Sequence, residues 1–184
     1  YNNSVYLNDA TPPTPANHQS ACLYVANMGT GSVDFRNNIL VNTMSTNGTG
    51  KAVGIFASAN SNLLRLASTT NNNLYFIGTG SATRGVSTDV AVIYQTLATH
   101  QAAVATGGLG GPRDLLSLEI NPQFHTLSNL HVLPTSPTSN AGSDVTSIVA
   151  TDIDGETRTA TPDIGADEFV AATASASGSI TSPT

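Results

Sequence analysis

The sequence predicts an all-β fold, a right-handed parallel β-helix (a solenoid) of about three to four coils. One short helix sits in an insertion and a C-terminal cap closes the stack. Three observations carry that expectation. Short β-type clusters recur, each closed by Asn, Gly, Ser or Thr, which is the punctuation of strands and turns. Blocks of similar sequence return at steps of 31 to 35 residues, and a repeat of that size marks stacked units. The chain is polar without being charged. Thr (25), Ser (19) and Asn (17) make up a third of the 184 residues, and 10% are charged, against roughly 25% in an average soluble domain.

The clusters fall at residues 4–7, 21–26, 32–35, 39–41, 52–57, 63–66 and 74–77. None has the length and 3.6-residue period of an amphipathic helix. YNNSVYLN (1–8) aligns with FRNNILVN (35–42) at an offset of 34, and the latter with NNNLYFIG (71–78) at about 35, pairing Asn37 and Asn38 with Asn72 and Asn73. Between them, ACLYVA (21–26) matches AVGIFA (52–57) at 31. The pattern reads as three short strands per coil, with loops that vary while strands hold register. A lone coil cannot bury its own inward face, so coils stack, strands pair in parallel and inward residues form columns. Val5 and Leu7 are expected over Ile39 and Val41, and these over Leu74 and Phe76. The Asn pairs mark one corner, because Asn tolerates the left-handed backbone conformation. Its amide can also bond the amide of the next coil in a ladder.

Beyond Gly78 the pattern changes. VAVIY (90–94) reads as a further strand. TLATHQAAVAT (96–106) reads as a short helix, capped by Thr96 and stopped at Gly107-Gly108. A Gly/Pro loop over 109–118 leads into a strand, Phe124 and 130–133 form a last partial coil, and Pro134 and Pro137 end it. The cap then runs from about 134 to 169, and the Ser/Thr/Ala-rich residues 170–184 read as a tail or linker. The chain starts at Tyr1 within a strand pattern, as expected of a mature or excised piece of something longer.

Charge and motif content exclude several functions. Six cations scattered among 12 carboxylates, net charge −6, leave no footprint for nucleic acid. No apolar run reaches the length of a bilayer-spanning helix. The single Cys22 excludes a disulfide framework and reads as a small core residue. No G-x-S-x-G elbow is present. The glycine run at 107–111 follows a helix instead of opening one, so it is no phosphate cradle. The four His residues are dispersed; His125 and His131 flank a strand turn without an evident third ligand.

Half of the 12 carboxylates lie within 152–168. Asp152, Asp154 and Glu156 alternate around a glycine turn, a spacing that suits a hard cation such as calcium. The competing reading is structural. Asp154-Gly155 is then a turn, Arg158 pairs with nearby carboxylates, and Arg158 and Asp163 help to seal the end of the stack. Tyr6, Tyr24 and Tyr75 are expected either to face outward and stack on sugar rings or simply to support strands.

At the C-terminal end the residues match a known kind of protein. The Thr-Leu-Ala helix (96–98), Asn-Pro-Gln-Phe (121–124), SPTSNAG (136–142) and TDIDGETRTATPDIGADEF (151–169) resemble the closing segment of large secreted bacterial right-handed parallel β-helix proteins of the pectate-lyase-like fold. FRNNILVNT (35–43) is similar to their coil repeat. His100 stands where that family often has Trp. The resemblance implies an extracellular or cell-surface location. Together with the composition, it implies a non-enzymatic structural or adhesive role. Strand edges left open at Tyr1 add the expectation of head-to-tail self-association into filaments. The alternative is a polysaccharide-binding or polysaccharide-cleaving β-helix. A hydrolase needs two carboxyl groups across a cleft. Residues 1–78 offer only Asp9 and Asp34, so the pair would come from Asp89, Asp114 or Glu119.

Overall fold

Parallel strands cannot be joined by a tight hairpin, so a chain that builds a parallel sheet must leave it and return for every strand. This chain does so in two sheets at once. A computed structural model describes residues 1–11, 17–26, 29–78, 82–105 and 112–169. The expected Gly107-Gly108 stop, the glycine run it opens and the 170–184 tail lie outside the described residues. Among those described are ten strands and two helices, an all-β fold. In chain order they are β1 (Ser4–Leu7), β2 (Ser20–Val25), β3 (Ile39–Asn42), β4 (Ala52–Ala57), the single turn α1 (Asn60–Leu63), β5 (Leu74–Ile77) and β6 (Arg84–Thr88). Then follow β7 (Ile93–Tyr94), α2 (Leu97–Ala105), β8 (Leu118–Glu119), β9 (Phe124–Thr126) and β10 (Asn129–Val132).

The first sheet has the order β1-β3-β5-β8 and the second β2-β4-β6-β7, so β1 to β6 alternate between sheets. Every pairing is parallel except β6 with β7. Parallel bridges at Val33–Leu66 and Arg36–Asn71 add a third line of contact. β9 and β10 form an antiparallel hairpin.

The registers bear out the alignment of β3 with β5 and correct those of β1 with β3 and of β2 with β4 by one residue. Ser4 lies opposite Ile39 and Ile39 opposite Leu74, a step of 35 residues each time. Ser20 lies opposite Ala52, a step of 32. A one-residue slip moves every side chain to the other face. Val5 therefore stacks on Leu40 and Tyr75, and Tyr6 on Val41 and Phe76, in place of the expected Val5–Ile39 and Leu7–Val41 columns. The 35-residue step is the one that superposes Asn2-Asn3 on Asn37-Asn38 and Asn72-Asn73. In the second sheet the step of 32 places Tyr24 opposite Phe56, and their rings stack with centroids 5.5 Å apart.

Both faces of the first sheet are buried. One face carries Leu40 and Tyr75, which pack with Val25, Ile55, Ala57 and Val86 of the second sheet. The other carries Ile39, Val41 and Leu74, which pack with Val132 and Ile164 and are flanked by Phe124 and Phe169. The segment after residue 133 therefore lies along the side of the sheet. It bonds Asn72 and Asn37 and reaches Ser4, touching three successive strand positions. The cap expected to seal one end is thus a lateral cover.

Other departures have local causes. Residues 63–66 form the end of α1 and a bridge in place of a strand, because Leu63 and Leu66, three apart, share one face of a helical turn and are both fully buried. The expected strand at 90–94 shrinks to β7. Asp89 turns the chain by accepting the Val92 amide at 2.8 Å, with Val90 at φ 81°. Strand β6 (RGVST) has no aliphatic pattern and was not expected. Its Gly85 leaves room for β7, since a Cβ there would lie 2.5 Å from Ile93.

Candidate functional site

The corner asparagines divide into two series. Asn2, Asn37 and Asn72 all have φ between 53° and 58°, a conformation Asn accepts at low cost. Their amides turn toward the C-terminal segment. Asn37 donates to Ser143 O at 2.8 Å and accepts the Ser143 amide at 2.9 Å, and Asn72 donates to Ala141 O at 2.8 Å. The second series forms a ladder. Asn3 Nδ2 donates to Asn38 Oδ1 and Asn38 Nδ2 to Asn73 Oδ1, each at 2.9 Å. Backbone amides of Asn3 and Asn38 donate to the same oxygens. Asn73 Nδ2 then donates to Asp114 Oδ1 at 2.9 Å, where the ladder ends on a carboxylate.

Asp114 belongs to a fully buried network. Its Oδ2 meets His100 Nε2 at 3.1 Å, and His100 Nδ1 meets Ser87 Oγ at 2.7 Å. Ser117 Oγ donates to Asp114 Oδ1 at 2.6 Å. Burial alone would raise the Asp114 carboxyl, but the bonds from His100, Asn73 and Ser117 outweigh it and hold it below its ordinary value. His100 is 0% exposed, as are Ser87 and Asp114. The three residue types are those of a hydrolytic triad, but a hydroxyl without exposed surface offers no approach to a substrate carbonyl. The network acts as packing.

The acidic terminal segment is a knot of charge-assisted bonds. Arg158, 4% exposed, donates to Glu168 at 3.0 Å and to the carbonyls of Gly165 and Ala166 at 3.0 and 2.8 Å. With its amide oxygen turned toward Arg158, Asn2 accepts from Nε at 2.9 Å. Asp163 accepts the amides of Asn140 and Phe169 at 2.6 and 2.7 Å. Burial pushes its carboxyl above the usual range, although these two amides oppose the shift. The partner of Arg158 is thus Glu168, with Asp163 holding the backbone.

The expected calcium set does not assemble. Both Asp152 oxygens accept backbone amides: Asp154 at 2.9 Å and Glu156 at 2.8 Å on Oδ1, Glu168 at 3.0 Å on Oδ2. Burial would raise this carboxyl, and the three amides hold it low. Glu156 is exposed. The structure instead gathers His131, Asp154 and Asp167, whose potential ligand atoms lie within 4.8 Å of one another. His131 Nε2 meets Asp154 Oδ2 at 2.6 Å, and Asp154 holds the imidazolium above its usual range. Sequence reading found no third ligand near His131 because Asp154 and Asp167 are distant in the chain and are brought in by the lateral cover.

Of the tyrosines, Tyr75 is fully buried and Tyr24 is 63% exposed. Tyr24 and Phe56 border a concavity of about 420 Å³ with Gln19, Ser20 and Ala21. Cys22 is a half-buried thiol that donates to Val41 O at 3.4 Å, and desolvation pushes it up to about 12. No helix among the described residues is long and apolar enough to cross a membrane. No protein-family model matches the chain, and no curated protein matches it.

Proposed function

We propose that the chain is a right-handed parallel β-helix with a non-enzymatic structural or adhesive role at the cell surface or outside the cell. It is of the kind its terminal motif resembles. The observation that carries this reading is the interleaved pair of parallel sheets bound by the Asn3–Asn38–Asn73 ladder. Its most concentrated polar chemistry is spent on stacking coils and fastening their cover. End-to-end assembly fits the same frame. β1 and β2 are outermost in their sheets, and Asn3 enters the ladder only as a donor. Strands of preceding chain or of a second copy would pair at that edge.

A second reading, polysaccharide binding, rests on the exposed Tyr24–Phe56 stack, since aromatic faces are suited to sugar rings. Incubating the purified chain with a panel of acidic and neutral polysaccharides tests both readings. Reducing-end assays report cleavage and retardation in polysaccharide gels reports binding. The scaffold reading expects no cleavage. The binding reading expects retardation that Tyr24→Ala abolishes. Release of new reducing ends overturns the non-enzymatic role.

A further inference from the structure

The cleft where the β9–β10 hairpin meets the terminal segment is unexplained by stacking or by the cover. It has a volume of about 290 Å³ and is bordered by Ser4, Asn129, His131, Ile153 and Asp167. His131 and Asp167 line it, and their donor groups meet that of Asp154 beside it.

Two further observations point to a ligand. Asp167 is 7% exposed. Its Oδ2 accepts the Val132 amide at 3.0 Å, the residue borders the cleft, and no hydrogen bond to its Oδ1 is found among the described residues. The ion pairs among the described residues bring it no Lys or Arg. The cationic group it faces is the half-exposed His131 ring, and a divalent ion bound there would supply the counter-charge in its place. The second observation is the setting of the His131 ring. Nδ1 faces Asn129 Oδ1, and Nε2 is directed at the acid pair. An oxygen acceptor on one ring nitrogen is the usual support for a histidine whose other nitrogen binds a metal.

We propose that His131 Nε2, Asp154 and Asp167 bind one divalent transition-metal ion of the zinc type. Calcium takes six to eight oxygen ligands, whereas one imidazole with two carboxylates suits a borderline first-row ion. Three protein ligands leave a further position open to water in the cleft. The ion fastens β10 to the DIDG turn and to the terminal strand-like segment, joining three stretches of chain with no backbone continuity. This site is independent of the scaffold reading and holds whether or not the chain binds polysaccharide.

Calorimetric titration of the EDTA-treated full chain with zinc chloride tests the proposal. One zinc per chain is expected, weakened about tenfold or more by His131→Ala and Asp154→Asn and about tenfold by Asn129→Ala. Asp154 has a side chain 55% exposed, so Asp154→Asn keeps the fold and its loss of binding reports a ligand. Cobalt in place of zinc should give a visible d–d band that His131→Ala removes. The proposal fails if folded wild-type chain takes up no zinc. It fails equally if His131→Ala binds zinc unchanged, or if calcium binds at these residues where zinc does not.

Discussion

At each corner the two members of an Asn pair do different work because their backbones differ. The first residue is left-handed, which throws its amide outward onto the cover. The second bonds along the stack, buried in Asn38 and Asn73 and exposed in Asn3. A ladder of amides, each donating to the next, must end on a group that only accepts, and Asp114 supplies it. That placement makes the ladder acid-sensitive. The Asp114 carboxyl is held below its ordinary value of 3.8, so between the folded and unfolded values the unfolded chain binds more protons. The stabilisation is complete above 3.8 and is lost as pH falls through the lower folded value. Urea midpoints followed from neutral pH down through the carboxylate range should show this loss. Asp114→Asn should remove that part of the acid dependence and lower stability at neutral pH by about 1–3 kcal/mol for each group left unsatisfied. The Asn pairs were legible because their chemistry is local and repeated. His100 was not, because its partners Ser87 and Asp114 lie 13 and 14 residues away and the intervening sequence signals neither.

Strands show where pattern reading runs out. β1, β4 and β5 coincide with their sequence clusters, because aliphatic and aromatic runs bounded by polar residues are a local signal. The register of β3 on β5, matched on the Asn pair, was right; that of β1 on β3 was misread by one because letters were matched along the run. The unbroken apolar runs ILV and LYFI carried a further message. A strand covered on one face alternates, and a strand covered on both does not, so the lateral cover was foreshadowed in β3 and β5. Within the cover, two glycines separate conformational need from crowding. Gly155 has φ 88° with open space around it. Gly165 has φ 111°, and a Cβ there would lie 2.6 Å from Ile39 Cδ1 and 2.9 Å from Ser4 Oγ. Gly155→Ala should cost about 1–2 kcal/mol from backbone strain alone. Gly165→Ala should cost about 1–3 kcal/mol more from overpacking. Thermal melts of the two variants side by side check the difference; equal costs would mean that the cover is not seated on β3.

For the whole molecule, the decisive relation is between the stack and its cover. Ile39, Val41 and Leu74 share a cluster with Val132 and Ile164, and an apolar sheet face of this kind is not stable in water. A chain ended after Leu133 should therefore bind a hydrophobic dye and self-associate by light scattering. A monodisperse, dye-free product would show that the cover is dispensable. The apolar runs hint that both sheet faces are covered, but which segment covers the second face was not legible from sequence. A terminal Gly/Asp/Thr-rich segment is compatible with an end plug or a side cover, and only the three-dimensional course of Asn37, Asn72 and Ser4 decides between them.

The cover also brings distant parts of the chain together. Ala166 donates to Ser4 Oγ at 3.0 Å across a separation of 162 residues. Chain extending from either side would enter and leave at neighbouring points, so tension along it would load the bonds between the first strand and the cover before the two sheets. Mechanically the unit would hang as a bead beside the line of pull and not stand as a rod within it. It would lengthen a tether very little until the junction gave way, and then release its slack from the side.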